Sequence, residues 1–265
     1  ATDEWSAAPL RADLDTAYRA RAQQIAPEWD DLALQYSDFA AWQRDLLADD
    51  RGRRELDFWR RALDGSPEEL SLPYDRARPP RPSGRGDGVL VGVRPETVVA
   101  LKDLAASTGT SMFMVFQAAV AVLLSRLGAG TDIPLGSPVT VRDDARLDQL
   151  VGFFLNTLVL RTDVSGDPTV AELLARVRAA DLSAFENKDV PFEQVVEAVA
   201  QSRSSALNPL FQTMVVYVDG RLPESPTDGN TGTHEGEGIA PPLPTTAKFD
   251  LSFDFTEDAT GVTPR

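Results

Sequence analysis

The chain has 265 residues, no cysteine and a formal charge of −15, from 26 Lys and Arg against 41 Asp and Glu. The lack of thiols excludes zinc fingers, disulfide scaffolds, cysteine nucleophiles and iron–sulfur sites. The negative charge opposes nucleic-acid binding, because a phosphate backbone requires a strong basic patch. No apolar stretch reaches the ~20 residues of a membrane span, so the composition favours a cytoplasmic globular protein.

The first 72 residues are predicted to be helical, because their apolar side chains recur every three or four residues. Ser6 is positioned to cap the first helix, which is expected to end near Arg21. The second helix spaces Tyr36, Phe39 and Trp42 along one side, and these aromatic residues are predicted to lie in the core. The periodic residues of the first and third helices are Leu10, Leu14, Tyr18, Leu56, Trp59 and Leu63.

A segment rich in proline and arginine, 73–86, divides the chain. Proline cannot continue a helix or donate a hydrogen bond inside a sheet. This segment is therefore predicted to link an N-terminal part, 1–72, to a larger C-terminal part, 87–265.

Strand and helix patterns alternate in the C-terminal part, which predicts an α/β domain with a mixed sheet packed by helices. Residues 111–127 are apolar nearly all round, as in a helix that is buried on most sides. Residues 219–247 are rich in proline and glycine and are predicted to form a long surface loop. The predicted strands are 88–93, 132–139, 155–164, 211–218 and 248–256. Predicted helices start at Pro95, Asp167–Pro168 and Pro191.

The side chains by themselves do not form a recognisable active site. The single histidine, His234, is surrounded by flexible residues that would not hold an imidazole in place, which disfavours a Ser-His-Asp hydrolase or a His-rich metal site. The acidic pairs Asp49-Asp50 and Asp143-Asp144 lie beside arginines in polar segments and are predicted to be solvated. No metal site is predicted.

Four motifs, taken in order, resemble those of nonribosomal peptide synthetase condensation domains. They are YSDFAAW (36–42), VGFFLNTLVLR (151–161), NKDVPFEQ (187–194) and RSSALNPLFQ (203–212). The N-terminal ATDEWS is similar to the end of that family's H-H-x-x-x-D-G motif, with Asp3 at the aspartate and Glu4 replacing the glycine. The two histidines of this motif would precede Ala1, so no catalytic residue is expected within the chain.

The resemblance implies a chloramphenicol acetyltransferase-like fold, in which two lobes flank a tunnel. The chain would carry the end of the N-terminal lobe and most of the C-terminal lobe, and both of its ends look cut. The implied partners are carrier proteins, whose phosphopantetheine arms hold the substrates, and the missing N-terminal lobe. No cofactor is expected to bind directly.

The implied reaction is amide formation between a donor acyl group and an acceptor aminoacyl group. A condensation-like domain that recruits carrier proteins or tailoring enzymes without forming a bond is the alternative. Related domains that epimerise the carrier-bound residue or form an ester are a third possibility.

The resemblance also implies roles for individual residues. Asp3 is expected to pair with an arginine, and Trp5 and Ser6 are expected to pack and cap. Phe153, Asn156 and Thr157 are candidates for the tunnel wall or substrate contacts. For Asn156, hydrogen bonding to local backbone is equally open; for Phe153 and Phe154, one is expected in the core. Further expected structural residues are Asp189 and Pro191 at a helix entry, and Arg203 and Asn208 in a loop before a strand.

The family's lobe-bridging element would correspond to 219–256. Without the other lobe, residues 221–247 are predicted to be mobile, and the exposed lobe interface is predicted to promote self-association.

Overall fold

The computed structural model describes residues 2–200, 206–219, 245–258 and 261–264. The helices in these ranges are α1 (Ala7–Ala22), α2 (Tyr36–Ala48), α3 (Asp50–Ala62), α4 (Pro95–Thr108), α5 (Met112–Leu124), α6 (Val170–Glu186) and α7 (Phe192–Val199). The strands are β1 (Asp132–Thr140), β2 (Leu155–Asp163), β3 (Thr213–Asp219), β4 (Leu251–Asp258) and β5 (Gly261–Pro264).

The strands form one mixed sheet in the order β2-β1-β3-β4-β5. β1 and β2 are antiparallel, with Asp132 opposite Asp163 and Thr140 opposite Leu155. β3 is parallel to both β1 and β4, and β5 is antiparallel to β4. The predicted α/β class with a mixed sheet is confirmed.

Three helices, α3, α5 and α6, begin where a local side chain accepts a free N–H group of the first turn. The hydroxyl of Ser111 accepts the N–H of Met114 at the start of α5. Thr169 and Glu172 form a reciprocal capping box at the start of α6. These signals are local, and the predicted starts at residue 111 and at Asp167–Pro168 lie within three residues of the starts of α5 and α6.

The core is built around α5. Its residues Phe116 and Leu124 pack with Ile133 of β1 and Val215 of β3. Its other side packs on α6 through contacts that include Val177. Fully burying side chains of this size stabilises the fold by roughly 1.5–3 kcal/mol each. α5 therefore packs on both the sheet and α6, as expected of a helix that is apolar nearly all round.

α5 continues into a short π-helical turn, Ser125–Ala129. Together they give 18 residues, Met112–Ala129, that are apolar and long enough to cross a membrane by length and composition. Half of this stretch is buried inside the fold, a property shared by the core helices of globular domains.

The predicted strand 88–93 is wrong. In this segment only Val93 forms a bridge, to Val262 of β5, and Val89 is 73 % exposed. An apolar run becomes a strand only when a neighbouring strand accepts its hydrogen bonds, and these residues lie beyond the short edge strand β5. The sequence also missed β5, which has only four residues.

The predicted core positions of Tyr36 and Trp42 are also wrong, because these side chains are 40 % and 43 % exposed while Phe39 is buried. Three helical residues turn the chain by about 300°, so Tyr36 and Trp42 lie on either side of Phe39. α1 forms as predicted, but its periodic residues Leu10 and Tyr18 are exposed.

Arg203, His234 and most of the predicted loop 219–247 lie outside the described residues. The predicted division at 73–86 stays a prediction. Within that segment, Arg78 forms ion pairs with Glu69 and Asp250.

Candidate functional site

A buried ion pair ties the N-terminus of the chain to the sheet. Asp3 and Arg142 form it, with Oδ1 of Asp3 3.0 Å from Nη2 of Arg142. The side chains are 0 % and 3 % exposed. Asp3 also caps the 3₁₀ turn Glu4–Ser6 by accepting the N–H of Ser6 at 2.9 Å. The backbone N–H of Phe154 donates to Oδ2 of Asp3 at 3.0 Å.

Arg142 lies just after the end of β1 and reaches into the loop that leads to β2. Its guanidinium donates to the carbonyl oxygens of Leu147 and Leu150 and lies 4.1 Å from the centroid of the Phe154 ring. The β1–β2 loop therefore wraps around a cation whose charge is balanced by Asp3.

Burial acts to raise the pKa of Asp3, but hydrogen bonds from Arg142, Ser6 and the N–H of Phe154 outweigh it. The pKa of Asp3 is therefore lowered from its usual value of 3.8, and the group is ionised at neutral pH. Losing one partner of a buried ion pair strongly destabilises a protein. The pair therefore holds Asp3 in a fixed position.

The prediction that Ser6 caps α1 is wrong. The 3₁₀ turn runs directly into α1, and the Ser6 hydroxyl makes no capping hydrogen bond. Its Oγ instead lies 2.8 Å from the carbonyl oxygen of Gly152 and accepts the N–H of Gly152 at 3.1 Å. Ser6 therefore joins Asp3 in holding the segment before β2. Glu4 and Trp5 are exposed.

Gly152 is packed against α2. A Cβ atom at this position would lie 2.4 Å from the Tyr36 ring and 2.7 Å from the Phe154 ring. The Tyr36 hydroxyl donates to the carbonyl oxygen of Phe153 at 3.0 Å, while its ring stands edge-on to Phe154. Phe154 is fully buried and Phe153 is 46 % exposed, so the two phenylalanines divide between core and surface.

The amide of Asn156 is occupied by backbone. Its Nδ2 donates to the carbonyl oxygens of Lys188 and Val190 at 2.6 and 2.8 Å. Its Oδ1 accepts the N–H groups of Thr157 and Phe192 at 2.8 and 2.9 Å. These four bonds use the full capacity of the amide, so the geometry favours the local-backbone role.

The prediction that Asp189 serves as a helix-entry residue is wrong. Asp189 is buried and pairs with Arg51 of α3, and its backbone N–H donates to Oε2 of Glu55 at 3.2 Å. The entry to α7 is made by Pro191, whose carbonyl oxygen accepts the N–H groups of Gln194 and Val195. The loop before α7 is therefore held from α3 and β2.

Nδ2 of Asn208 donates to the carbonyl oxygen of Lys248 at 2.6 Å. Asn208 borders a cavity of about 460 Å³ between the end of α3, α7 and the 207–210 loop. None of the other predicted site residues that the structure describes lines this cavity.

The sequence analysis did not identify Arg142, Arg51 or Glu55 as site residues. Glu55 carried a signal, because it shares a helix face with Trp59 and an acid on an apolar face requires a partner. Arg142 carried none, since its partner lies 139 positions away. Among the described residues, no group of three or more His, Cys, Asp or Glu is placed to hold a metal ion.

Comparison with known proteins identifies the family. The family model for the condensation domain matches residues 1–263. A dimodular nonribosomal peptide synthase from Bacillus subtilis is 44 % identical over 261 residues, 97 % of this chain and 11 % of the synthase. The chain thus spans about a tenth of that relative.

The X-domain from teicoplanin biosynthesis is similar in structure, with a TM-score of 0.86 and 33 % identity over 99 % of this chain and 60 % of that chain. The same X-domain in complex with OxyB gives a TM-score of 0.84 at 32 % identity, covering 99 % of this chain and 58 % of that one. The mixed sheet and its helices have the chloramphenicol acetyltransferase-like fold of these neighbours. With a family match that spans nearly all of its residues, the chain belongs to the condensation-domain family.

Proposed function

We propose that this chain forms part of a condensation domain that makes an amide bond in nonribosomal peptide synthesis. The α-amine of an acceptor aminoacyl group attacks the thioester carbonyl of a donor acyl group. The C–N bond forms, the C–S bond breaks, and the donor arm leaves as a thiol with the proton lost by the amine. Both groups are carried on phosphopantetheine arms of carrier-protein domains.

The buried pair of Asp3 and Arg142 carries this proposal. It holds Asp3 against the end of β1 and the start of β2, so residue 3 has a fixed position in the fold. We place the two motif histidines two and three residues before Ala1, where the second orients the amine or stabilises the tetrahedral intermediate. Because a thioester is already activated, orienting the two reactants supplies much of the catalysis.

Other predicted residues take supporting roles in this proposal. Phe153 and Thr157 contribute to the tunnel wall, since Phe153 is half exposed beside the Asp3 pair. Asn156 holds the loop before α7 rather than substrate.

The test is single-turnover amide formation by the synthetase polypeptide that contains this chain, supplied with donor and acceptor aminoacyl carrier domains. Substituting the histidine two residues before Ala1 with alanine is expected to abolish the product while leaving the unfolding midpoint unchanged. Arg142→Ala is expected to reduce product and stability together, whereas Arg146→Ala in the same loop changes neither. Product formed by the 265-residue chain alone would contradict the placement of the histidine.

The X-domain similarity supports a second candidate, a platform that binds a tailoring enzyme or carrier domains without forming a bond. The solved complex of the X-domain with OxyB is the observation that favours it. Calorimetric binding of a tailoring enzyme, together with no amide product from the full polypeptide, would favour the platform. Amide product in the same assay would favour condensation.

A further inference from the structure

A second buried polar cluster lies in the core, away from the Asp3 pair. It consists of Asp181 on α6, Gln117 on α5 and Thr162 on β2, which are 0 %, 1 % and 2 % exposed. Nε2 of Gln117 donates to Oδ1 of Asp181 at 3.0 Å and to Oγ1 of Thr162 at 3.1 Å. One neutral amide therefore connects two helices and a strand.

Two oxygens of this cluster lack a donor. Oδ2 of Asp181 and Oε1 of Gln117 find no hydrogen-bond partner among the residues that the structure describes. Buried acceptors without donors are costly, and a buried carboxylate without a cation is more so. A single proton on Oδ2 of Asp181 removes the charge and supplies the missing donor.

Among the residues that the structure describes, no cation forms an ion pair with Asp181. α5 contains no ionisable residue. On β2, Arg161 and Asp163 flank Thr162; Arg161 pairs with Asp132 of β1, and Asp163 pairs with Arg176 of α6. The remaining ionisable residues of the elements packed on this cluster are Glu96, Lys102 and Asp103 of α4 and Glu172, Arg178 and Glu186 of α6; Lys102 pairs with Glu257 and Arg178 donates to the carbonyl oxygen of Gly109.

Burial raises the pKa of Asp181 to about 7, and the hydrogen bond from Gln117 lowers it only in part. This agrees with the geometry, in which burial is complete and the single donor is neutral.

We propose that Asp181 is protonated in the folded protein and that its O–H donates to Oε1 of Gln117. This acid–amide pair links α5 to α6, and its contribution to stability depends on pH. Each partner then donates once to the other, and every polar atom of the pair is satisfied.

The direction of the pH effect follows from proton linkage. The unfolded chain binds this proton only near the ordinary pKa of 3.8, whereas the folded chain holds it up to about 7. Folding takes up a proton between these values, so the stability from this site falls as the pH rises from about 4 to about 7 and is constant above that. About three pKa units correspond to about a thousandfold change in the folding equilibrium constant.

The test compares urea unfolding of the 265-residue chain and its Asp181→Asn variant from about pH 5 to pH 8.5. Asparagine keeps both hydrogen bonds of the pair without a charge. The variant is expected to gain stability over wild type progressively as the pH rises. A difference between the two proteins that is independent of pH would overturn the proposal.

Asp189→Asn is the matched control, because Asp189 is also a buried acid, 6 % exposed, and already has a cation, Arg51. It is expected to lose stability without any gain at alkaline pH. A direct measurement covers variants that fold poorly: the wild-type protein should show the infrared C=O band of a protonated buried carboxyl near neutral pH, and the band should disappear in alkali. Absence of this band at about pH 6 would also overturn the proposal.

Discussion

Asp3 and Asp181 are both buried carboxyl groups, but their pKa values are shifted in opposite directions. Burial acts to raise the pKa of each. At Asp3 the hydrogen bonds from Arg142, Ser6 and Phe154 outweigh burial and leave the pKa below 3.8. At Asp181 the single bond from Gln117 does not, and the pKa rises to about 7.

The difference arises from where each residue lies in its element. Asp3 precedes a helix, where backbone N–H groups are still free to donate to a carboxylate. Asp181 lies inside α6, where the N–H groups are used by the helix itself. The ionisation of a buried acid therefore depends on how many donors can reach it, and burial alone does not decide it.

The largest effect is expected from Arg142→Ala, which leaves Asp3 buried without its cation. Losing one partner of a buried pair costs about 3–5 kcal/mol of unfolding free energy. Urea unfolding at neutral pH measures it. Arg146→Ala is the control, because its pair with Asp144 is exposed and should contribute little. Equal losses in both variants would remove the contrast between buried and surface pairs.

Gly152→Ala is expected to disturb the Asp3 cluster from the side of α2, because the new Cβ atom would meet the Tyr36 ring at 2.4 Å. Overpacking of this kind costs about 1–3 kcal/mol. Thermal unfolding of the single variant and of Gly152→Ala with Tyr36→Leu measures the effect. The double variant should recover part of the loss; no recovery would mean that the clash lies elsewhere.

Gln117→Leu is expected to remove the one side-chain donor to Asp181 found among the described residues, at a cost of about 1–3 kcal/mol near pH 8, where the carboxyl is largely ionised. The cost should be smaller near pH 5, where Asp181 is neutral. Urea unfolding at both values checks this, with Thr162→Val as a control that leaves the bond to Asp181 intact. Equal costs at both pH values would mean that Gln117 does not change the pKa of Asp181.

The smallest effect on stability is expected from the protonation of Asp3 at acid pH. Its pKa is lower in the folded chain, so the unfolded chain takes up the proton first, and stability is lost as the pH falls through 3.8 toward the folded value. The stability difference between wild type and Asp3→Asn should therefore shrink from about pH 5 to pH 3 in urea unfolding. A difference that grows on acidification would contradict the lowered pKa.

Much of the fold was predictable from local patterns. The predicted starts at residue 111 and at Asp167–Pro168 lie close to the starts of α5 and α6, and the apolar character of residues 111–127 indicated the central helix. The predicted strand at 88–93 is wrong because a strand needs a hydrogen-bonding neighbour, which a local sequence pattern cannot reveal. The predicted burial of Tyr36 and Trp42 is wrong because helical spacing alone does not give the width of the buried face of a helix.

The sequence by itself determined the helices, the central strands, the α/β class and, through motifs in order, the family. Tertiary structure alone decided which partners the buried acids receive. Arg142 reaches Asp3 across 139 positions because the antiparallel register brings the end of β1 beside the start of β2. Asp181 meets Gln117 across 64 positions because α6 packs on α5. Such contacts depend on the packing of distant elements, so the charge of each buried acid is a property of the fold.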